Sequence, residues 1–252
     1  DGKVDVDALR RLVEQQLENG VAALVSCGTT GEPSTLSLEE RELVIRETVK
    51  AVNGRVPVIC GTGANCTQTV IDNERRFRDL GCAAQLVVTP YYNKTSQEGL
   101  YAHFMAIAEH TELPIILYNV PSRTTLEILP DTLRRLIPSG RFIALNDDLT
   151  YPLLAMGAQG VISVVSNVLP GEMAALCQAY FDGDAQDSLR RQIRLMPFIR
   201  ALFREVSPIP CKCAMEMMGQ CSGELRLPLI PAAEETRMAL KKCLTGLGYM
   251  KS

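Results

Sequence analysis

Short apolar runs alternate with amphipathic stretches along the first two thirds of the chain. DALRRLVEQQLENG sets Leu9, Leu12, Val13 and Leu17 on one face at helical spacing, with Asp5 or Asp7 placed to cap its start and Gly20 its end. VAALVSCG, Val21–Gly28, is apolar without alternation and runs into a turn, the pattern of a strand covered on both faces. A helix is expected over TLSLEERELVIRETVKAV, where Ser37 and Glu40 have capping-box spacing. The strand VPVICGTG, the helix TQTVIDNERRFRDLG to Gly81, the strand AQLVVTPYY and a helix over Gly99–His110 follow. Next come the strand LPIILYNVP and the short helix LPDTLRRLI. Six strands are expected in all: Val21–Ser26, Val56–Cys60, Gln85–Val88, Ile115–Tyr118, Phe142–Leu145 and Val161–Val165. Beyond them only helical patterns remain, over PGEMAALCQAYFDG and roughly Ala185–Glu205, Pro210–Met218 and Ala232–Leu247.

Apolar strands alternating with helices predict a parallel sheet wrapped by helices. Most of the strands run into loops rich in Gly, Thr, Asn or Tyr, and in a parallel barrel such loops gather at one face, where chemistry is done. Residues 1–183 are therefore expected to form an α/β barrel domain and residues 184–252 a helical domain. A length of 252 residues suits one such barrel.

Composition narrows the classes. At 46% hydrophobic with a formal net charge of -3, the chain reads as globular, with no electrostatic case for nucleic acid or an anionic membrane. No apolar run reaches the ~18–20 residues of a membrane span, and the polar start DGKVDVDALRR is unlike a signal peptide. The nine cysteines include no CxxC pair, and Cys211 and Cys213 are too close together for a zinc site, so free thiols in a reducing compartment are expected and no metal. Two N-x-T sequons, at Asn65 and Asn93, carry no meaning in a cytosolic chain.

Taken singly, the loop motifs are weak. GTTGEP, Gly28–Pro33, offers backbone amides and the hydroxyls of Thr29 and Thr30, which can bind a carboxylate or pass a proton; it equally suits a turn with a helix cap. GTGAN lacks the third glycine of a dinucleotide loop, so no cofactor is indicated. Tyr91 and Tyr92 in VTPYYN, and Tyr118 in YNVPSRT, end two strands, where aromatic packing is the plainer role. Arg123, five residues after Tyr118, can pair with a substrate carboxylate or sit in a surface ion pair.

Together these stretches, with GTTGEPSTLSLEER, PVICGTGAN, VTPYYNKTSQEGLYAHF, ILYNVPSRT, GAQGVISVVSNVLP and PIPCKCAMEMMG, resemble the dihydrodipicolinate synthase family of pyruvate-dependent class I aldolases over nearly the whole chain. The resemblance implies a (β/α)₈ barrel with a C-terminal helical domain, usually a cytoplasmic homotetramer, with no cofactor. It also implies a lyase of the diaminopimelate and lysine route, condensing pyruvate with aspartate semialdehyde through a Schiff base on a lysine. Carried over by motif, Tyr118 is the proton donor and acceptor beside that lysine. Thr29 links Tyr118 into a proton relay, and Thr30 touches the pyruvate carboxylate. Tyr92 is lent across a dimer interface, Arg123 holds the aldehyde's carboxylate, and the backbone near Ile162 lines the pyruvate site. The related N-acetylneuraminate lyases share the Schiff-base scheme, but the paired threonines and the Ser-Arg after YNVP favour the synthase. Leu38, Arg41 and Thr69 replace the histidine and acidic positions of lysine-inhibited members, which speaks against feedback inhibition.

One element of the pattern is missing. The family's lysine ends an apolar strand, and none of Lys3, Lys50, Lys94, Lys212, Lys241, Lys242 and Lys251 does so. GRFIALNDDLTYP matches the strand after the lysine strand, so Asn146 is not a substituted lysine. A segment on the order of 25 residues, one βα unit, is expected to be absent near Leu136–Gly140, together with the family's first strand. The barrel should then be incomplete, and the chain unstable or strongly associated, because lost strands leave unpaired edges. The competing reading is a non-catalytic member that kept the pocket and lost the nucleophile; the surviving Tyr118, Thr29, Thr30, Tyr92 and Arg123 weigh against it.

Overall fold

The computed structural model describes residues 2–136 and 149–251. In chain order its elements are α1 (Val6–Glu18), β1 (Leu24–Ser26), α2 (Leu38–Val52), β2 (Val58–Gly61), α3 (Thr67–Arg78), β3 (Ala84–Val88), α4 (Gln97–His110), β4 (Ile115–Tyr118), α5 (Pro121–Thr124), α6 (Pro130–Leu136), α7 (Thr150–Ala155), α8 (Pro170–Phe181), α9 (Ala185–Leu202), α10 (Ile209–Met217) and α11 (Glu234–Leu247). They divide between two compact units, Ala23–Gly28 with Leu38–Ala144, and Asp1–Ala22 with Thr29–Ser37 and Leu145–Ser252.

The first unit is built on a parallel sheet in the order β1-β2-β3-β4. Val25 pairs with Ile59, Cys60 with Gln85, and Val88 with Tyr118. All four residues of β2 are buried, as unalternating apolar sequence requires. Val87, Ile115 and Leu117 from the strands pack with Val70 and Ile71 of α3 and Leu100, Phe104 and Ile107 of α4. A Cβ on Gly61 would lie 2.1 Å from the Cys27 carbonyl oxygen, so the ends of β1 and β2 approach at a distance only glycine permits. Some of the buried polar groups are paired in a chain. Thr62 donates to the Gln85 side-chain Oε1 at 2.9 Å, the Gln85 Nε2 donates to the Thr111 hydroxyl at 3.0 Å, and Thr111 donates to the Ile107 backbone carbonyl at 2.7 Å.

The second unit is helical. Asp5 caps α1 by accepting from the Ala8 amide at 2.9 Å, one of the two caps the sequence offered. Its core joins Leu154, Val165, Met173 and Leu176 to Leu195, Phe198, Ile199 and Leu202 of α9, Cys211 and Ala214 of α10, and Leu240 and Leu244 of α11. The three long helices expected after residue 184 are present within three residues of their expected ends.

The expected strand Val161–Val165 is corrected: residues 160–164 form no strand, and Val165–Asn167 is a 3-10 turn. Ser163 accepts from the Ser166 amide at 2.9 Å and its carbonyl accepts the Ser166 hydroxyl at 3.0 Å. This local serine turn competes with a strand ladder for the same backbone. The expected strand Phe142–Leu145 and Asn146 lie outside the described residues.

Candidate active site

Loops placed by the two units carry the expected site residues. In the sheet unit, Tyr118 is the last residue of β4, opposite Val88 of β3. The next residue along β3, Thr89, donates its amide to the Tyr118 carbonyl at 3.2 Å and extends the ladder by one bond. The chain then turns at Val120 into the single helical turn α5, whose Pro121 supplies the fixed first-turn geometry. Arg123 stands exposed on that turn, its amide donating to the Val120 carbonyl at 2.9 Å.

The same turn is held from inside. Thr89, fully buried, donates its hydroxyl to Thr124 at 2.9 Å, and Thr124 donates to the Leu126 carbonyl at 3.0 Å. Downstream, Gln97 of α4 donates to the Glu127 carbonyl at 2.8 Å and accepts from Thr132 at 2.6 Å, while Asn119 accepts the Ile128 amide at 3.0 Å. The Arg123 loop is therefore anchored at both ends before any ligand arrives.

Tyr92 sits on the loop after β3 at a φ of 68°, left-handed backbone for a bulky residue, and is 92% exposed. Asn93 ties this loop down by donating to the Asn65 carbonyl at 2.8 Å. The preceding loop ends at Cys66, which caps α3. Its exposed thiol is pulled below the ordinary thiol value by the Thr69 amide, then the Thr69 hydroxyl and the Gln68 amide.

In the helical unit, Thr29 and Thr30 form a half-buried 3-10 turn, closed by the Glu32 amide donating to the Thr29 carbonyl at 3.1 Å. Glu32, at a φ of 53°, turns its carboxylate inward. There it accepts Lys212 of α10 at 2.8 Å and the Arg226 amide at 3.2 Å. Arg226 adds guanidinium bonds to the Thr35 and Gly2 carbonyls, each at 2.7 Å. Ile162 lies half-buried in the irregular segment before Val165.

The six expected residues thus divide equally, with Tyr92, Tyr118 and Arg123 in one unit and Thr29, Thr30 and Ile162 in the other. Sequence reasoning missed the supports: Glu32, Lys212 and Arg226 under the threonine turn, and Thr89 with Thr124 under Arg123. Glu32 and Thr89 lie inside motifs quoted for their neighbours, so a polar residue kept beside a candidate was the available signal. No lysine lies on any described strand. Lys212 is the half-buried one, and Glu32 engages it; the other six are exposed. Among the described residues no His, Cys, Asp and Glu group is placed to hold a metal, and no helix is long and apolar enough to cross a membrane.

A profile of the Dihydrodipicolinate synthetase family matches residues 1–146 and 139–247. The 4-hydroxy-tetrahydrodipicolinate synthase of Pelobacter propionicus is 42% identical over 276 residues, covering 99% of this chain and 95% of the relative. The solved dihydrodipicolinate synthase of Thermotoga maritima is 41% identical with a TM-score of 0.96, covering 99% of this chain and 95% of that one. The enzyme from Acinetobacter baumannii, described as complexed with pyruvate, is 40% identical with a TM-score of 0.94 over 99% of this chain and 95% of that one. The α/β fold is that of these synthases, and the chain belongs to the dihydrodipicolinate synthetase family, whose members are lyases of lysine and diaminopimelate biosynthesis.

Proposed function

We propose that this chain derives from a 4-hydroxy-tetrahydrodipicolinate synthase, keeps its pyruvate and aspartate semialdehyde sites, and lacks the lysine that makes the reaction run. The family profile carries this reading, because it stops at residue 146 and restarts at 139, where the lysine-bearing βα unit was expected to be absent. The length of the alignment agrees: 99% of 252 residues is about 249, so an alignment 276 positions long holds about 27 positions without a counterpart here.

On this reading Thr30 binds the pyruvate carboxylate beside the backbone of Ile162. Tyr118, Thr29 and Tyr92 supply the hydroxyls that move protons, and Arg123 takes the aldehyde's carboxylate. Hydroxyls suit that task because each proton moves between poor acids, so geometry outweighs acidity. Without an amine to condense with the pyruvate ketone, no iminium forms and the carbon nucleophile has no electron sink. The barrel is then an incomplete (β/α)₈, residues 184–252 are its helical domain, and the assembly is a cytoplasmic homotetramer with Tyr92 at a dimer interface. Loss of such a covalent group costs several orders of magnitude in rate.

Reduction with borohydride in the presence of pyruvate, followed by intact mass, tests it. The folded protein should show no pyruvyl adduct. A stable adduct on any lysine, Lys212 first, would overturn the reading.

A further inference from the structure

Thr89 bonds both the segment bearing Tyr118 and the segment bearing Arg123. Its amide donates to the Tyr118 carbonyl at 3.2 Å, and its hydroxyl donates to Thr124, the neighbour of Arg123, at 2.9 Å. Both threonines are buried, with 0% and 4% exposure, so water cannot replace the bond cheaply. Thr124 passes the constraint on, donating to the Leu126 carbonyl at 3.0 Å just past Thr125, whose φ of 53° is left-handed. Arg123 itself is exposed on a four-residue turn, too short to hold its own geometry.

We propose that Thr89 is a positioning residue for Arg123: its hydroxyl fixes the α5 turn so that the guanidinium is preorganised for the carboxylate of the second, aldehyde substrate. The Thr89 hydroxyl also reaches the Leu126 carbonyl at 3.3 Å, and these hydroxyl bonds are chemically separable from the amide bond. Replacing its hydroxyl with a methyl group removes the brace on the Arg123 turn, loosening it, but leaves the amide bond that extends β4, so Tyr118 keeps its place. The effect is therefore selective for one substrate. This rests on the site reading above, in which Arg123 is the carboxylate receptor.

The test measures noncovalent binding by ligand-observed NMR, with pyruvate and with aspartate semialdehyde as separate probes, on the wild-type chain and on Arg123→Ala, Thr89→Val and Thr89→Ser. Arg123→Ala should lose aspartate semialdehyde binding and keep pyruvate. Thr89→Val should weaken aspartate semialdehyde about tenfold and leave pyruvate unchanged, and Thr89→Ser should restore it, as expected when misplacement alone is at fault. A purely structural role would move both ligands together with the melting temperature. Unchanged aspartate semialdehyde binding in Thr89→Val overturns the inference while leaving Arg123 intact. Unchanged binding in Arg123→Ala, or no binding by the wild type, overturns the site reading and the inference with it. If Thr89→Val fails to fold, Thr89→Ala carries the same comparison, since it removes the same hydroxyl and keeps the amide bond to Tyr118.

Discussion

The sheet unit and the helical unit reach stability by different routes. In the sheet unit each strand depends on a neighbour for its backbone bonds, so β2 and β3, paired on both sides, are secure, while β1 and β4 end the sheet as described. In the helical unit each helix bonds its own backbone apart from its ends, and what remains is to cap those ends and bury one face. Its core of Leu, Phe, Met and Cys side chains does that without a ladder. A sheet is thus damaged by losing a neighbour and a helical cluster by losing a side chain. A family member without one βα unit should show its weakness in the sheet.

The most damaging way to probe that contrast is to empty each core. Changed to alanine, Leu117, 2% exposed on β4, should cost about 2–5 kcal/mol and Phe198, fully buried on α9, about 3–5 kcal/mol. Read by amide exchange, Leu117→Ala should speed exchange through β3 and β4, and Phe198→Ala through α8 and α9. Equal loss in both regions from either substitution would erase the distinction.

A somewhat smaller effect sits in the sheet unit and turns on pH. His103 of α4 is 7% exposed, shares a 2.9 Å hydrogen bond with Thr67 and has no partner for Nε2. Burial holds its pKa down to about 4, against an ordinary 6.5. The unfolded chain takes up this proton near pH 6.5 and the folded chain only near 4. The folded state therefore loses up to about 3 kcal/mol as pH falls across that interval, and loses nothing from this group above it. His103→Gln should flatten the difference between melts at pH 7.5 and pH 4.5. A wild type and variant with parallel pH profiles would remove His103 from the account.

The smallest probe belongs to the helical unit. The Glu32 and Lys212 side chains are 11% and 23% exposed and meet at 2.8 Å. Glu32→Gln leaves the ammonium without its counter-charge and should cost about 2 kcal/mol, less than a fully buried pair because water reaches the lysine. Chemical denaturation would check it, and a cost near zero would mean the Arg226 bonds hold the turn by themselves.

The apolar runs made the four described strands legible, and helical periodicity made α1 to α4 and α8 to α11 legible, because burial and period are local properties of sequence. Boundaries slipped where turns compete: the first strand starts at Leu24, three residues later than expected, and Pro33–Thr35 forms a separate 3-10 turn before α2. Val161–Val165 reads as a strand and is none, because a strand needs a partner while Ser163 and Ser166 bond each other instead. The candidate residues were recognisable as motifs. Their supports were not, since Lys212 lies 180 residues from Glu32 and Thr124 lies 35 from Thr89.

What the sequence by itself determined is the family, the type of most helices and strands, and the candidate site residues, all of which follow from residue identity and short spacing. What only the tertiary structure decided is which polar side chains hold those residues in place, and which half-buried lysine is engaged by a carboxylate. Those facts depend on contacts between distant segments. A chain's local pattern carries no record of such contacts, because a hydroxyl or an ammonium can be satisfied by any donor or acceptor the fold brings within about 3 Å.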